Sequence, residues 1–325
     1  MRGGPVSVDA DGIRLLCIVG PTAVGKTDLA LRVARQVPAE AVSADSRQVY
    51  RYMDIGTAKA SPEERELLPH HLIDLVDPVD TLTLAQFLDL AKRAIADIHA
   101  RGRCPILVGG TGLYVRALLE GWTVPKAPPD EALRQRMQEL ADREGSEAVA
   151  CRLAEVDPEA AARIDPRNVR RVIRALEVYH TTGQPISDLQ RKRPPGYDVW
   201  TIGLTCPRDR LYARIDARVE RMLAAGLEAE VRELLERGYD RELPSMSGLG
   251  YRQMAAYLVG EVSLEEAVQE IKRATRRFVR QQFNWFRLSA GWITWYDVTE
   301  VDPDRIAAEA VAFARTGERA QKAQD

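Results

Sequence analysis

Leu15-Leu16-Cys17-Ile18-Val19 runs directly into Gly20-Pro21-Thr22-Ala23-Val24-Gly25-Lys26-Thr27 near the start of the chain. A short apolar run closed by a glycine reads as a buried strand. The segment after it matches G-x-x-x-x-G-K-[ST] in full and opens a helical pattern from about Lys26 to Gln36. A strand, a glycine loop and a helix in that order bring backbone N–H groups and a positive helix end around phosphate oxygens. Lys26 adds a point charge, and Thr27 adds a hydroxyl able to ligate Mg²⁺. Gly20, Pro21, Thr22, Ala23, Val24, Gly25, Lys26 and Thr27 are therefore the expected phosphate-binding segment.

Outward from this loop, the first half alternates strand and helix. Ala41–Ser43 reads as a second strand, Leu84–Arg101 as a helix, and Pro105–Val108 as a third strand ending in Gly109-Gly110. Such alternation predicts an α/β fold: a P-loop-type parallel sheet with helices on both faces. The texture changes after Gly121. Residues 125–196 are almost wholly helical in pattern and lie between Pro125–Pro129 and Pro194-Pro195, which predicts an inserted all-helical subdomain. A strand returns at Trp200–Leu204, then helices at about 208–237 and 264–286, a last strand at Ile293–Val298 and a helix over 304–314. The expected division is a catalytic core at 13–121 and 198–315 with a helical insertion at 122–197. Residues 1–12 and roughly 316–325 read as frayed tails.

Composition bounds the function. The chain has 325 residues, 45% hydrophobic and 29% charged, ordinary for a globular protein with a real core. No apolar run approaches the length of a membrane span, and the start lacks a signal-peptide pattern, so a cytoplasmic protein with no membrane contact is expected. Net charge is −2, so nucleic-acid contact requires segregated basic patches. Only 7 of the 46 basic residues are Lys, a bias that suits phosphate and base recognition and equally suits a GC-rich genome. Four scattered cysteines and one adjacent histidine pair exclude a zinc cluster or a disulfide framework as the organising feature.

The phosphate loop does not by itself specify a nucleotide. NTPases of this class place an acid at the end of a second core strand to hold Mg²⁺. Here that strand ends in Gly109-Gly110-Thr111-Gly112, which weakens a P-loop small-molecule kinase or NTPase as the alternative reading. Asp45 follows the second strand, where strand ends share one crevice with the phosphate loop. Its carboxylate could bind Mg²⁺, act as a general base, or cap the turn.

These segments together resemble the tRNA dimethylallyltransferase family, also called tRNA isopentenyltransferases or the IPP transferase family. The resemblance rests on GPTAVGKT (20–27), DSRQVY (45–50), MDIGTAK (53–59), PHHLID (69–74), GGTGLY (109–114), RALEVY (174–179), GLEAEV (226–231), GYRQM (250–254) and RQQFNWFR (280–287). It implies transfer of a dimethylallyl group from dimethylallyl diphosphate to N6 of adenosine at tRNA position 37, with Mg²⁺ as cofactor. It also implies that the phosphate loop grips the donor's diphosphate and that Thr27 is the Mg²⁺ ligand. Asp45, Thr111 and Arg218 take the catalytic positions: Asp45 as base, Thr111 near the bridging oxygen and target base, Arg218 on the diphosphate. A monomer is the expected state.

The partner implied is the tRNA anticodon stem-loop. Family tRNA contacts match Asp45, Ser46, Arg47, Gln48, Thr111, Arg134, Arg170, Arg171, Val172, Ile173, Arg174, Gly250, Tyr251, Arg252, Gln253, Arg280, Gln281, Gln282, Trp285 and Arg287. The residues themselves support two basic patches. Residues 163–174 carry five Arg against one acid, and 272–287 carry six basic residues and no acid. Arg273, Arg276, Arg277 and Arg280 fall on one helix face, interleaved with Phe278, Phe283, Trp285 and Phe286. The same pattern describes an amphipathic helix with aromatics inside and arginines in water. The sequence departs from the family at Asp165-Pro166-Arg167-Asn168, Gln281 and Asn284.

Overall fold

The computed structural model describes residues 12–125 and 127–319; the tail residues 1–11 and 320–325 lie outside these. Two compact units divide the chain, one made of residues up to Leu118 and from Pro195 onward, the other of Leu119–Pro194.

In the first unit, β1 (Arg14–Val19), α1 (Lys26–Ala34), β2 (Ala39–Ser43), α2 (Pro62–Leu67), β3 (His70–His71), α3 (Leu84–Ala100), β4 (Cys104–Val108) and α4 (Gly112–Leu119) come before the other unit. The second unit holds α5 (Glu131–Glu144), α6 (Ser146–Val156), α7 (Pro158–Arg163), α8 (Val169–Thr182) and α9 (Ile186–Leu189). The chain then returns to the first unit through β5 (Asp198–Thr205), α10 (Arg208–Ala224), α11 (Leu227–Glu236), α12 (Tyr251–Leu258), α13 (Leu264–Trp285), β6 (Thr294–Asp297) and α14 (Pro303–Thr316).

The strands form one sheet in the order β3-β2-β4-β1-β5-β6, with every pairing parallel. Register places Ile18 opposite Val108 and Ile202, and Ser43 opposite Val108. β2, β4 and β1 therefore end level with one another. The loops that follow them open on the same edge, where open α/β sheets bind ligands. Leu16 and Ile18 pack with Ile106, Ile202, Leu204, Val33 and Phe313 beneath α1 and α14. Leu15, Cys17 and Val19 are fully buried on the other face, as strand alternation requires.

Local signals account for the element ends. Reciprocal capping boxes start α2 at Ser61/Glu64, α3 at Thr83/Gln86 and α13 at Ser263/Glu266, each contributing about 1 kcal/mol. The single helix expected over 208–237 is two. Gly226, at φ 99°, takes the left-handed conformation between α10 and α11, which stops helical hydrogen bonding there. The pair β3 was absent from the sequence reading.

A further apolar cluster joins Val49, Tyr50 and Met53 to Val219 of α10, Leu227, Val231 and Leu234 of α11, Tyr251 and Met254 of α12, and Ile271 of α13. It holds α10 in place beside the sheet edge. The second unit has its own core of Val149, Leu153, Val172, Ile173, Leu176 and Val178.

Candidate active site

Three loops meet at the C-terminal edge of the sheet. Gly25 caps α1 at φ 110° without a side-chain cap, so the first N–H groups of α1 stay available to an anion. The Gly109–Gly112 loop comes so close to its neighbours that side chains do not fit. A Cβ on Gly109 would sit 2.2 Å from the Ala44 carbonyl oxygen, and one on Gly112 would sit 2.3 Å from Trp285. Thr111 is tied to the third loop: its Oγ1 accepts from the Ser46 N–H at 3.0 Å, and its own N–H donates to the Ala44 carbonyl at 3.1 Å.

Asp45 divides its oxygens between two tasks. Oδ1 accepts from the Arg47 N–H at 2.8 Å and the Gln48 N–H at 3.4 Å, fixing the turn. Among the described residues, Oδ2 has no hydrogen-bond partner. The capping reading and the reactive reading of Asp45 thus belong to different oxygens of one carboxylate.

Two adjoining cavities share Asp45. One, of about 410 Å³, is lined by Thr22, Ala23, Gly25, Lys26 and Thr27 of the phosphate loop, Gly109 and Gly110, and Arg214, Arg218 and Arg221 of α10. The other, of about 390 Å³, is lined by Ser46, Thr111, Met53, Ile215, Val219, Met222, Gly248, Phe278 and Gln281 among others. Thr22, Asp45, Thr57 and Arg218 line both. One end is cationic and the other is mixed apolar and polar.

The electrostatics of the first cavity suit an anion. Lys26 donates to the carbonyls of Gly20 at 3.0 Å and Pro21 at 2.8 Å. Burial pulls its ammonium down to about 7, Arg218 adds to the effect, and Asp45 opposes it. Burial likewise lowers Arg218, against the pull of Asp45, and Arg221 pushes the same way as burial. Two buried cations that repel each other are stabilised by a bound anion. Thr27 and Asp45 line the same cavity. Among the described residues, no group of three or more His, Cys, Asp or Glu could hold a metal. Mg²⁺ characteristically takes one or two protein oxygens and completes its shell with phosphate and water. The Thr27 hydroxyl and Asp45 carboxylate fit that requirement.

Arg214 and Arg221 were not singled out from the sequence. With Arg218 they fall at i, i+4 and i+7 on α10, one helix face. The pervasive arginine content hid that spacing. Arg214 also donates to the Val24 carbonyl at 3.0 Å, bracing the phosphate loop. Thr57 belongs to a quoted motif but had no role. Its segment is held by Glu230, which accepts from the N–H groups of Asp54, Ile55 and Gly56 and from the Tyr251 hydroxyl.

The expected RNA residues sort into exposed and interior groups. Arg252, Arg280, Gln281, Trp285 and Arg287 are exposed in the first unit. Tyr251 is buried with its hydroxyl on Glu230. Gln253 is buried and its Oε1 accepts from the Gly250 N–H. Gln282 is buried and bonded at both ends of its amide. These three side chains are buried, and Tyr251 also lines the second cavity. Arg47 donates to the Pro244 carbonyl and the Ser247 hydroxyl, and Gln48 bonds Ser43 and the Thr57 and Ala58 carbonyls. Both therefore hold the site together. On α13, Lys272, Arg273, Arg276 and Arg277 are ion-paired with Glu220, Glu270 and Asp216. Phe286 is core, Phe283 packs against core, and Phe278 and Trp285 are exposed.

In the second unit, Arg170 and Arg171 are exposed. Val172 and Ile173 belong to its core, so their side chains are buried between the exposed Arg171 and the half-buried Arg174. Arg134 and Arg174 both pair with the fully buried Glu177. Burial penalises that carboxylate, but the Asp130 N–H and both arginines more than offset it and keep its pKa low.

A phosphate loop, a half-free carboxylate and an arginine-faced helix around one cleft define a P-loop-type α/β protein acting on a phosphate-bearing compound. Residues 48–289 match the family model for IPP transferase, and residues 13–76 match that for isopentenyl transferase. A tRNA dimethylallyltransferase of Roseiflexus castenholzii is 59% identical over 275 residues, covering 85% of this chain and 90% of that protein. The crystal structure of a tRNA isopentenylpyrophosphate transferase from Bacillus halodurans, 45% identical, superposes with a TM-score of 0.68 over 92% of this chain and 95% of that one. A eukaryotic dimethylallyltransferase crystallised acting on tRNA, 26% identical, gives 0.79 over 97% and 82%. The chain belongs to the IPP transferase family.

Proposed function

We propose that this protein transfers a dimethylallyl group from dimethylallyl diphosphate to the exocyclic N6 of adenosine at tRNA position 37, releasing diphosphate, as a cytoplasmic monomer. The observation that carries the proposal is the shared wall of the two cavities. Asp45, Thr22, Thr57 and Arg218 stand between a cationic end and an end open to Thr111 and Gln281.

The donor's diphosphate lies in the cationic end of the site, against the free N–H groups of residues 23–27, Lys26 and Arg218. The flipped adenine enters from the Thr111 side. An unpaired loop base costs less to extrude than a paired one. N6 is a poor nucleophile because its lone pair is delocalised into the ring. As the N6–C1 bond forms, the C1–O bond breaks, the electron pair leaves with diphosphate, and the N6 proton passes to Asp45 Oδ2. Charge growing on the leaving group is met by Lys26, Arg218 and the oriented loop N–H groups. Thr27, with Asp45 nearby, would hold Mg²⁺, which would supply further neutralisation of the diphosphate. Arg280, Gln281, Trp285 and Arg287 contact the anticodon stem-loop, as do Arg134, Arg170, Arg171 and Arg174 of the helical unit.

The test is incubation with labelled dimethylallyl diphosphate, Mg²⁺ and unmodified tRNA, followed by nucleoside analysis. The proposal expects label in N6-dimethylallyladenosine from position 37. Label in no nucleoside, or steady ATP turnover without tRNA, contradicts it.

A further inference from the structure

Gln282 was grouped with the RNA contacts because it matches a tRNA-contact position of the family that the sequence resembles. Its surroundings point elsewhere. The side chain is 4% exposed. Its Oε1 accepts from the Thr22 N–H of the phosphate loop at 2.9 Å. Its Nε2 donates to the Gly110 carbonyl of the Gly109–Gly112 loop at 3.1 Å. The fit leaves no slack: a Cβ on Gly110 would lie 2.3 Å from that Nε2 and 3.7 Å from Lys26 Nζ. Thr22 and Gly110 both line the cationic cavity.

We propose that Gln282 is a positioning residue for the donor diphosphate, a clamp that fixes the spacing between the phosphate loop and the Gly109–Gly112 loop. This rests on the proposed prenyl transfer. The amide is the side chain the task requires, because one loop presents a donor and the other an acceptor. Severing it leaves a loop N–H and a carbonyl unpaired in a buried place, and the loops relax apart to find partners. Gln281 and Arg280 are its exposed neighbours on α13. The same turn of helix therefore serves RNA on its outer side and the donor on its inner side.

The test separates the two substrates. Gln282→Met keeps the bulk and removes both hydrogen bonds. It is expected to raise KM for dimethylallyl diphosphate roughly tenfold at saturating tRNA, while tRNA affinity measured by filter binding changes less than about twofold. Gly110→Ala attacks the same contact from the other loop and should raise donor KM similarly. In a Gln282→Ala background the added methyl finds room, so its further effect should be small. Donor KM unchanged in folded Gln282→Met overturns the proposal. So does a loss of tRNA affinity with donor KM intact, or full additivity of Gly110→Ala and Gln282→Ala. Wild-type protein that forms no prenylated nucleoside refutes the proposed function instead, and that result is read before any variant.

Discussion

Replacing Glu230 on α11 should loosen a loop that borders both cavities without touching either substrate. Its carboxylate accepts from three consecutive N–H groups, Asp54 at 2.9 Å, Ile55 at 2.8 Å and Gly56 at 3.2 Å, and from the Tyr251 hydroxyl at 2.6 Å. Each hydrogen bond to a charged group contributes about 1.5–3 kcal/mol. Asp54 is exposed, so water replaces part of that loss. Tyr251 is 1% exposed, so its hydroxyl finds no substitute. Glu230→Ala should therefore cost about 3–4 kcal/mol, lowering Tm by roughly 10 °C. Glu230→Gln can turn its amide nitrogen toward the Tyr251 oxygen and keep its carbonyl on Asp54 and Ile55. It leaves only the Gly56 N–H opposed, at about 1–2 kcal/mol. Thr57 and Ala58, which follow the anchored N–H groups, line the cationic cavity, so donor KM should rise in the same order. Thermal unfolding, hydrogen exchange at residues 54–56 and donor KM would be measured on both variants. An alanine variant within about 1 °C of wild type, with protection at 54–56 intact, would refute the reasoning.

Three further outcomes are expected. Lys26, held near 7 by burial and Arg218, is mostly neutral in the free protein at about pH 8, and a bound diphosphate restores its charge. Calorimetry in buffers of different ionisation enthalpy should then show uptake approaching one proton per donor at about pH 8, fading toward about pH 6 and absent in Lys26→Arg. Asp45→Ala should lower prenyl transfer roughly 10²–10⁴-fold while tRNA binding largely survives; full activity discards Asp45 as base. Arg280→Ala, which removes an exposed cation, should weaken tRNA binding and reduce the slope of log K against log salt by roughly 1. An unchanged slope removes Arg280 from the phosphate contacts.

The three converging loops were legible in the sequence because each follows an apolar run, and parallel topology sends the ends of β1, β2 and β4 to one edge. The inserted helices were legible from their proline punctuation. Other features carried no signal that a single window could isolate. β3 spans only His70–His71, too short for any periodicity. The break at Gly226 lies between two patterns of identical period, so the pattern runs across it. Gln282 was placed with the RNA contacts by the family resemblance, which does not register its burial. It continues the buried stripe Ile271, Ala274, Val279 of α13, with Phe286 following, and a glutamine on such a stripe must find buried partners. Those partners, Thr22 and Gly110, are far away in sequence, which is why composition and spacing could not supply them. The same holds for Glu177, whose burial turns two arginines of the second unit into an ion-paired set.

The most direct measurement is a crystal structure of the protein with tRNA and a non-cleavable thio analogue of dimethylallyl diphosphate. The diphosphate is expected against the N–H groups of residues 23–27 and Lys26, with the adenine N6 within about 3 Å of Asp45 Oδ2. Diphosphate density outside the Gly20–Thr27 loop, or an adenine whose N6 approaches no oxygen of Asp45, would contradict the account.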